Sequence, residues 1–237
     1  MVTLRLRPTA AAWRVRRAAK PAEQAPAWVW FFLESKTVPA EMKAADRALN
    51  GLLSRLWRGG EFRGQSGQVR VLPTAGALPA DRLILAGLGA PEKLRVETVR
   101  GLAAGVGKAL AAAKADRVVV DGSGLARAVR AAKEFLPPDA AGNAAAAEAA
   151  REAAAVRAFA EGAMLNEYAF DWFKSGGDEN GDEENGGRPP RCAYVWRVAS
   201  AAEARPAKAE IAFAAEAVRG AALARDLQNL PANYLPP

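Results

Sequence analysis

Hydrophobic residues along the chain follow two rhythms, short continuous runs and spaced stripes. WVWFFL (28–33), LILAGLG (83–89), RVVVD (117–121) and CAYVWRV (192–198) are runs of strand length, and most are rich in β-branched or aromatic residues. Between them Met42, Ala45, Leu49, Leu52 and Leu56 fall three or four apart, which predicts an amphipathic helix after Pro39. Val99, Leu102, Val106 and Leu110 predict a second one. VRVLP (69–73) reads as a further strand, and Val2, Leu4 and Leu6 alternating with Thr3, Arg5 and Arg7 predict an opening strand with one exposed face.

The order of these segments carries the fold class. From 83 to 121 the chain reads strand, turn, helix, strand, which is a βαβ unit and makes its two strands parallel. Strands that are apolar without alternation belong to a sheet covered on both faces. The expectation is therefore an α/β domain, a mixed sheet with helices on both faces and at least one βαβ unit.

Two alanine-rich stretches add helices. Residues 144–168 have high helix propensity, with Val156, Phe159 and Ala163 on one side, and residues 209–227 carry Ile211, Ala215, Val218 and Ala222 on one side. RGGEFRGQSGQ (58–68) supplies the glycine and polar punctuation of a loop. SGGDENGDEENGG (175–187) holds no apolar residue and predicts a mobile acidic surface loop; its spacing does not meet the ligand geometry of a calcium-binding EF-hand.

Composition narrows the chemistry. The 237 residues include no histidine, which removes the commonest general base and the commonest metal ligand, and a single cysteine, Cys192, which excludes an internal disulfide and reads as a half-buried strand residue. No apolar run approaches the roughly 20 residues that span a bilayer, so no membrane partner is expected. The net charge of +7 favours anionic partners, but the arginines are dispersed among alanines, which makes DNA binding through a basic surface a secondary reading.

The candidate sites are few. Gly87 and Gly89 in GLG follow a strand and precede a helix, where backbone amides can cradle a phosphate, yet Glu92 stands where the dinucleotide fingerprint needs its third glycine. DGSG (121–124) also follows a strand; without histidine Ser123 has no evident base and reads as a turn or cap residue. Glu161 with Glu167, and Asp226 beside Arg225, read as solvated helix faces and local ion pairs.

The final residues, ARDLQNLPANYLPP (224–237), resemble the segment that joins the two domains of the leucyl aminopeptidase (cytosol aminopeptidase) family, written approximately A-R-D-L-x-N-x-P-x-N-x-L-x-P. Ala224, Arg225, Asp226, Leu227, Asn229, Pro231, Asn233, Leu235 and Pro237 carry the match. GEFRGQSGQ (60–68), DRLILAGLG (81–89) and EGAMLNEYAFDWFKS (161–175) are similar to further family stretches in the same order, and the likeness is looser before Asp46.

The resemblance implies a macro-domain-like N-terminal domain over 1–200, then a linker helix and interdomain segment over 201–237. In the family, a metal-binding lysine, aspartates, a glutamate and an arginine hold two divalent ions, zinc or manganese, in a later catalytic domain. On this reading the catalytic domain is absent here and no residue of this chain takes a catalytic, cofactor-binding or metal role. The family also implies a cytoplasmic homo-oligomer, commonly a hexamer, whose N-terminal domain supports assembly and access control beside the catalytic domain. The alternative is a macro-like domain binding ADP-ribose or another phosphate ligand near Gly87–Gly89 or Asp121–Gly124.

Overall fold

The computed structural model describes residues 13–17, 25–132, 135, 144–170 and 192–231. Six strands form one sheet in the order β1-β6-β5-β2-β4-β3: β1 Trp13–Arg17, β2 Ala25–Leu33, β3 Val69–Pro73, β4 Ala80–Gly89, β5 Arg117–Asp121 and β6 Ala193–Val198. All neighbours are parallel except β3, which runs antiparallel to β4. The sheet is mixed and covered by helices on both faces, as its apolar strands require.

Alternation within each buried strand assigns its residues to the two faces. Val29 and Phe31 of β2, Ile84 of β4, Val118 of β5 and Trp196 of β6 face one core with helices α3 Val96–Ala112, α4 Gly122–Ala131, α5 Ala144–Asn166 and α6 Ala201–Asn229. Trp28, Phe32, Leu83, Leu85 and Val119 face a smaller core with Leu53, Leu56 and Trp57 of α2 Leu52–Gly59. In the smaller core Phe32, Trp57 and Phe62 meet edge to face, with ring centres 4.9–5.6 Å apart.

The βαβ unit is present as β4, α3 and β5, with β2 inserted between its two strands. Two expectations change. The stripe from Met42 to Leu56 is not one helix: α1 Lys43–Ala48 and α2 are separated where Asn50 and Gly51 both take positive φ, 53° and 74°. Two successive left-handed residues end the helical hydrogen-bond ladder, and an Asn-Gly pair adopts that conformation at low cost.

The second change is a strand at Trp13–Arg17 that the sequence reading passed over. It docks on β6 through Trp13, whose indole stacks on Tyr194 at 4.6 Å and 9°. The expected strand over 2–6 and the acidic loop over 175–187 lie outside the described residues.

The long alanine-rich helix α5 is held against α3 by close approach. A Cβ at Gly162 would collide with the Arg100 carbonyl and lie 2.9 Å from the Ala103 methyl. Gly162→Ala should therefore lower stability by about 1–3 kcal/mol through overpacking. Gly101→Ala, on the open side of α3 with nothing within 4 Å, should raise it by about 0.5–1 kcal/mol. Urea denaturation of the two variants checks both signs; equal effects would remove this account of the helix pair.

Candidate functional site at the carboxyl ends of the parallel strands

In open α/β sheets ligands bind outside the carboxyl ends of the strands, where chains leaving neighbouring strands turn to opposite faces. Here that point lies between β2 and β5. The chain leaves β2 towards α1 and α2 on one face, and leaves β5 directly into α4 on the other. Gly87–Gly89 ends β4 on this edge, and Asp121–Gly124 spans the end of β5 and the start of α4.

The GLG amides are already used. Gly87 N–H donates to the Gln68 carbonyl at 2.8 Å and Gly89 N–H to the Gly64 carbonyl at 2.8 Å. A Cβ at Gly87 would run into the Gln65 carbonyl, and one at Gly64 would lie 3.0 Å or nearer to the carbonyl group of Leu33. The glycines thus let the loop over 60–68 lie directly on the ends of β2 and β4. Gln68 ties that loop together: its Oε1 accepts from the amides of Arg63 and Gln65 and its Nε2 donates to the Glu61 carbonyl, at 3.0–3.2 Å. The glycine turn is packing, not an open phosphate cradle.

Asp121 stands at the N-cap position of α4 at the end of β5, and Ser123 lies in the first turn of that helix. Burial pushes the Asp121 carboxyl above its usual 3.8, and the Gly124 amide, Arg127 and Arg197 offset part of that cost. A Cβ at Gly124 would collide with this carboxylate, and one at Gly122 would lie 2.6 Å from the Arg197 carbonyl. Both glycines are needed for the turn to fit.

Cys192 precedes β6 and is buried; desolvation, aided by Glu167 and Asp116, pushes its thiol up to about 12, so it is no nucleophile. Among the described residues no three His, Cys, Asp or Glu side chains converge to hold a metal ion. The family's two-ion chemistry does not fit the described part of the chain.

The other residues singled out in the sequence meet at two contacts. Glu161 of α5 receives two hydrogen bonds from the Arg100 guanidinium, at 2.8 and 2.9 Å, and is largely buried rather than solvated. Tyr168 Oη donates to Asp226 at 2.8 Å and accepts from Asn229 Nδ2 at 3.4 Å, and the Arg225 guanidinium lies 5.4 Å from the Tyr168 ring centre. EGAMLNEYAF and ARDLQN therefore touch each other, a contact their separation of some sixty residues does not announce. Residues 171–175 and 232–237 of these stretches lie outside the described residues.

Sequence reasoning missed one feature of this edge. A cavity of about 240 Å³ opens between α4, α5, α6 and the end of β6. Its walls are built from small residues on three helices, including Ala126 of α4, Ala149 and Ala153 of α5 and Ala207 of α6.

Asp121 yields a pH test. Its carboxyl is raised in the folded chain, so the folded state favours the protonated form. Its stabilising contribution is present below the unfolded value and is lost as pH rises through the folded one. Asp121→Asn should therefore gain stability relative to the parent as the pH rises from 4 to 7. Urea midpoints at the two pH values test this, and a difference that is flat or falls with pH would refute it.

Comparison with known proteins agrees with this geometry. The model for the cytosol aminopeptidase family, N-terminal domain, matches residues 29–137. A probable cytosol aminopeptidase of Geobacter sp. (strain M21) is 32% identical over 194 residues, covering 81% of this chain and 33% of that protein. The chain thus spans about a third of the length of the curated relatives it matches.

Among solved structures, a tomato leucine aminopeptidase mutant superimposes with a TM-score of 0.68 at 19% identity, over 96% of this chain and 40% of that one. A Trypanosoma brucei macrodomain in complex with ADP gives 0.53 at 15% identity, over 87% and 72%. These two show the fold. The chain carries the N-terminal domain of the cytosol aminopeptidase family, with a macro-domain-like architecture.

Proposed function

We propose that this chain serves as the non-catalytic N-terminal domain of a metal-dependent aminopeptidase that releases amino-terminal residues from peptides. In that role it supports assembly of a homo-oligomer and limits access to the catalytic interior. Residues 1–200 form the macro-like body, and 201–237 the helix and segment leading towards the catalytic domain, whose two divalent ions would be zinc or manganese. The names of the relatives are consistent with a cytoplasmic setting, and among the described residues no helix is long and apolar enough to cross a membrane.

One observation carries this reading: the described side chains and glycines that mark the family are consumed by internal contacts. Gly64, Gly87 and Gly89 close the loop onto the sheet, Glu161 holds α3, and Asp226 and Asn229 hold Tyr168. The alternative of a phosphate ligand at Gly87–Gly89 is opposed by the engagement of both glycine amides.

The purified 237-residue chain, loaded with zinc or manganese, should not hydrolyse leucine p-nitroanilide above a metal-only blank. Turnover that co-purifies with the chain and is abolished by a chelator would overturn the non-catalytic role. Light scattering over a concentration series should show self-association, and a strictly monomeric solution would remove the assembly role.

A further inference from the structure

The cavity at the carboxyl ends of β5 and β6 is not used by any contact described above. Its volume, about 240 Å³, exceeds that of the roughly 150 Å³ apolar cavities that take up benzene. Leu125, Val156 and Trp196 give it apolar depth, and small residues on three helices keep it open. It can hold an aromatic or branched aliphatic body of about ten heavy atoms.

Its charged groups are of one sign. Among the described residues the only charged side chains in its lining are Glu152 and Glu203. Glu203 is fixed by the capping box of α6, accepting from Ser200 Oγ at 3.0 Å and from the Ala199 amide at 3.1 Å. Glu152 pairs with Arg130, and that guanidinium is held above its usual range by Glu152, with Glu148 and Glu203 adding to the effect. The lining itself thus carries two carboxylates, one of them paired with the Arg130 guanidinium. Pro206 in the wall has no N–H to return to the Ala202 carbonyl one turn back, so an acceptor without its ordinary helical donor also borders the site.

We propose that this cavity binds small primary amines with an apolar body, the body seated between α4, α5 and Trp196 and the ammonium at Glu152 and Glu203. The wall offers acceptors and carboxylates to a donor cation, and among the described residues its lining holds no cationic side chain. The proposal is independent of the role assigned to the domain as a whole, since it concerns a site on the far side of α4 from the closed glycine turn.

The test uses the full chain and three probes of similar shape: 2-phenylethylamine, 2-phenylethanol and phenylacetate. The indole N–H resonance of Trp196, assigned by triple-resonance spectroscopy, reports occupancy. The amine should shift it saturably and bind about tenfold tighter than the alcohol, a difference of about 1.4 kcal/mol, with phenylacetate weakest. In the double variant Glu152→Gln, Glu203→Gln the amine should fall to the affinity of the alcohol, and glutamine at 203 retains the capping box. Ala153→Phe should abolish binding of the amine and the alcohol; should that variant not fold, the charge series on the parent chain decides alone. No saturable shift with the amine, or phenylacetate binding as well as the amine, would overturn the proposal.

Discussion

Strand β2 is the constraint on which the architecture depends. It lies at the centre of the sheet, between β5 and β4, and it faces both cores with alternate residues, Val29 and Phe31 on one side and Trp28 and Phe32 on the other. A strand apolar on both faces cannot sit at an edge or under solvent, so it forces a helical layer on each side. The crossover from β4 to β5 must then pass over β2, and α3 supplies it. The switch point between β2 and β5 follows from that same arrangement.

What occupies the strand ends is decided by backbone rather than side chains. An open turn after β4 would leave the Gly87 and Gly89 amides pointing into the crevice, available to an anion. Instead the loop over 60–68 continues the β3–β4 pairing past its last ladder residues; glycine at 64 and 87 permits an approach that a Cβ would prevent, and Gly89 supplies a positive φ of 78°. The buried ring of Phe62 anchors the loop from beneath. One set of glycines therefore stabilises the sheet and closes its most evident ligand position.

Much of this was legible in the sequence, because hydrophobic burial leaves a periodic trace. The runs at 28–33, 83–89, 117–121 and 192–198 and the stripes on α3 and α5 reappear as strands and helices. The break between α1 and α2 was not read, because Leu49, Leu52 and Leu56 keep their spacing across it while Asn50 and Gly51 reverse the backbone. WRVRR at β1 was passed over because three arginines in five residues mask the pattern of a short edge strand. The glycine motif was seen as a possible cradle because a sequence shows glycine's freedom without showing which neighbour exploits it. Tyr168 with Asp226 needed the fold, since nothing local joins residues on two different helices.

The role of α5 shows why these cross-helix contacts matter. An alanine-rich surface packs closely but presents few ridges and grooves, so it fixes neither register nor rotation well by shape. Along α5, Glu152 pairs with Arg130 of α4, Arg157 with Glu210 of α6, and Glu161 with Arg100 of α3. Partly exposed pairs of this kind contribute little net stability, of the order of 0–1 kcal/mol each. Their effect is directional: three pairs to three different helices admit one rotation of α5, and Gly162 admits one depth against α3. The same poverty of side-chain bulk that makes those ties necessary leaves the space beside Ala149 and Ala153 unfilled. Helix registration and the cavity are thus two consequences of one composition.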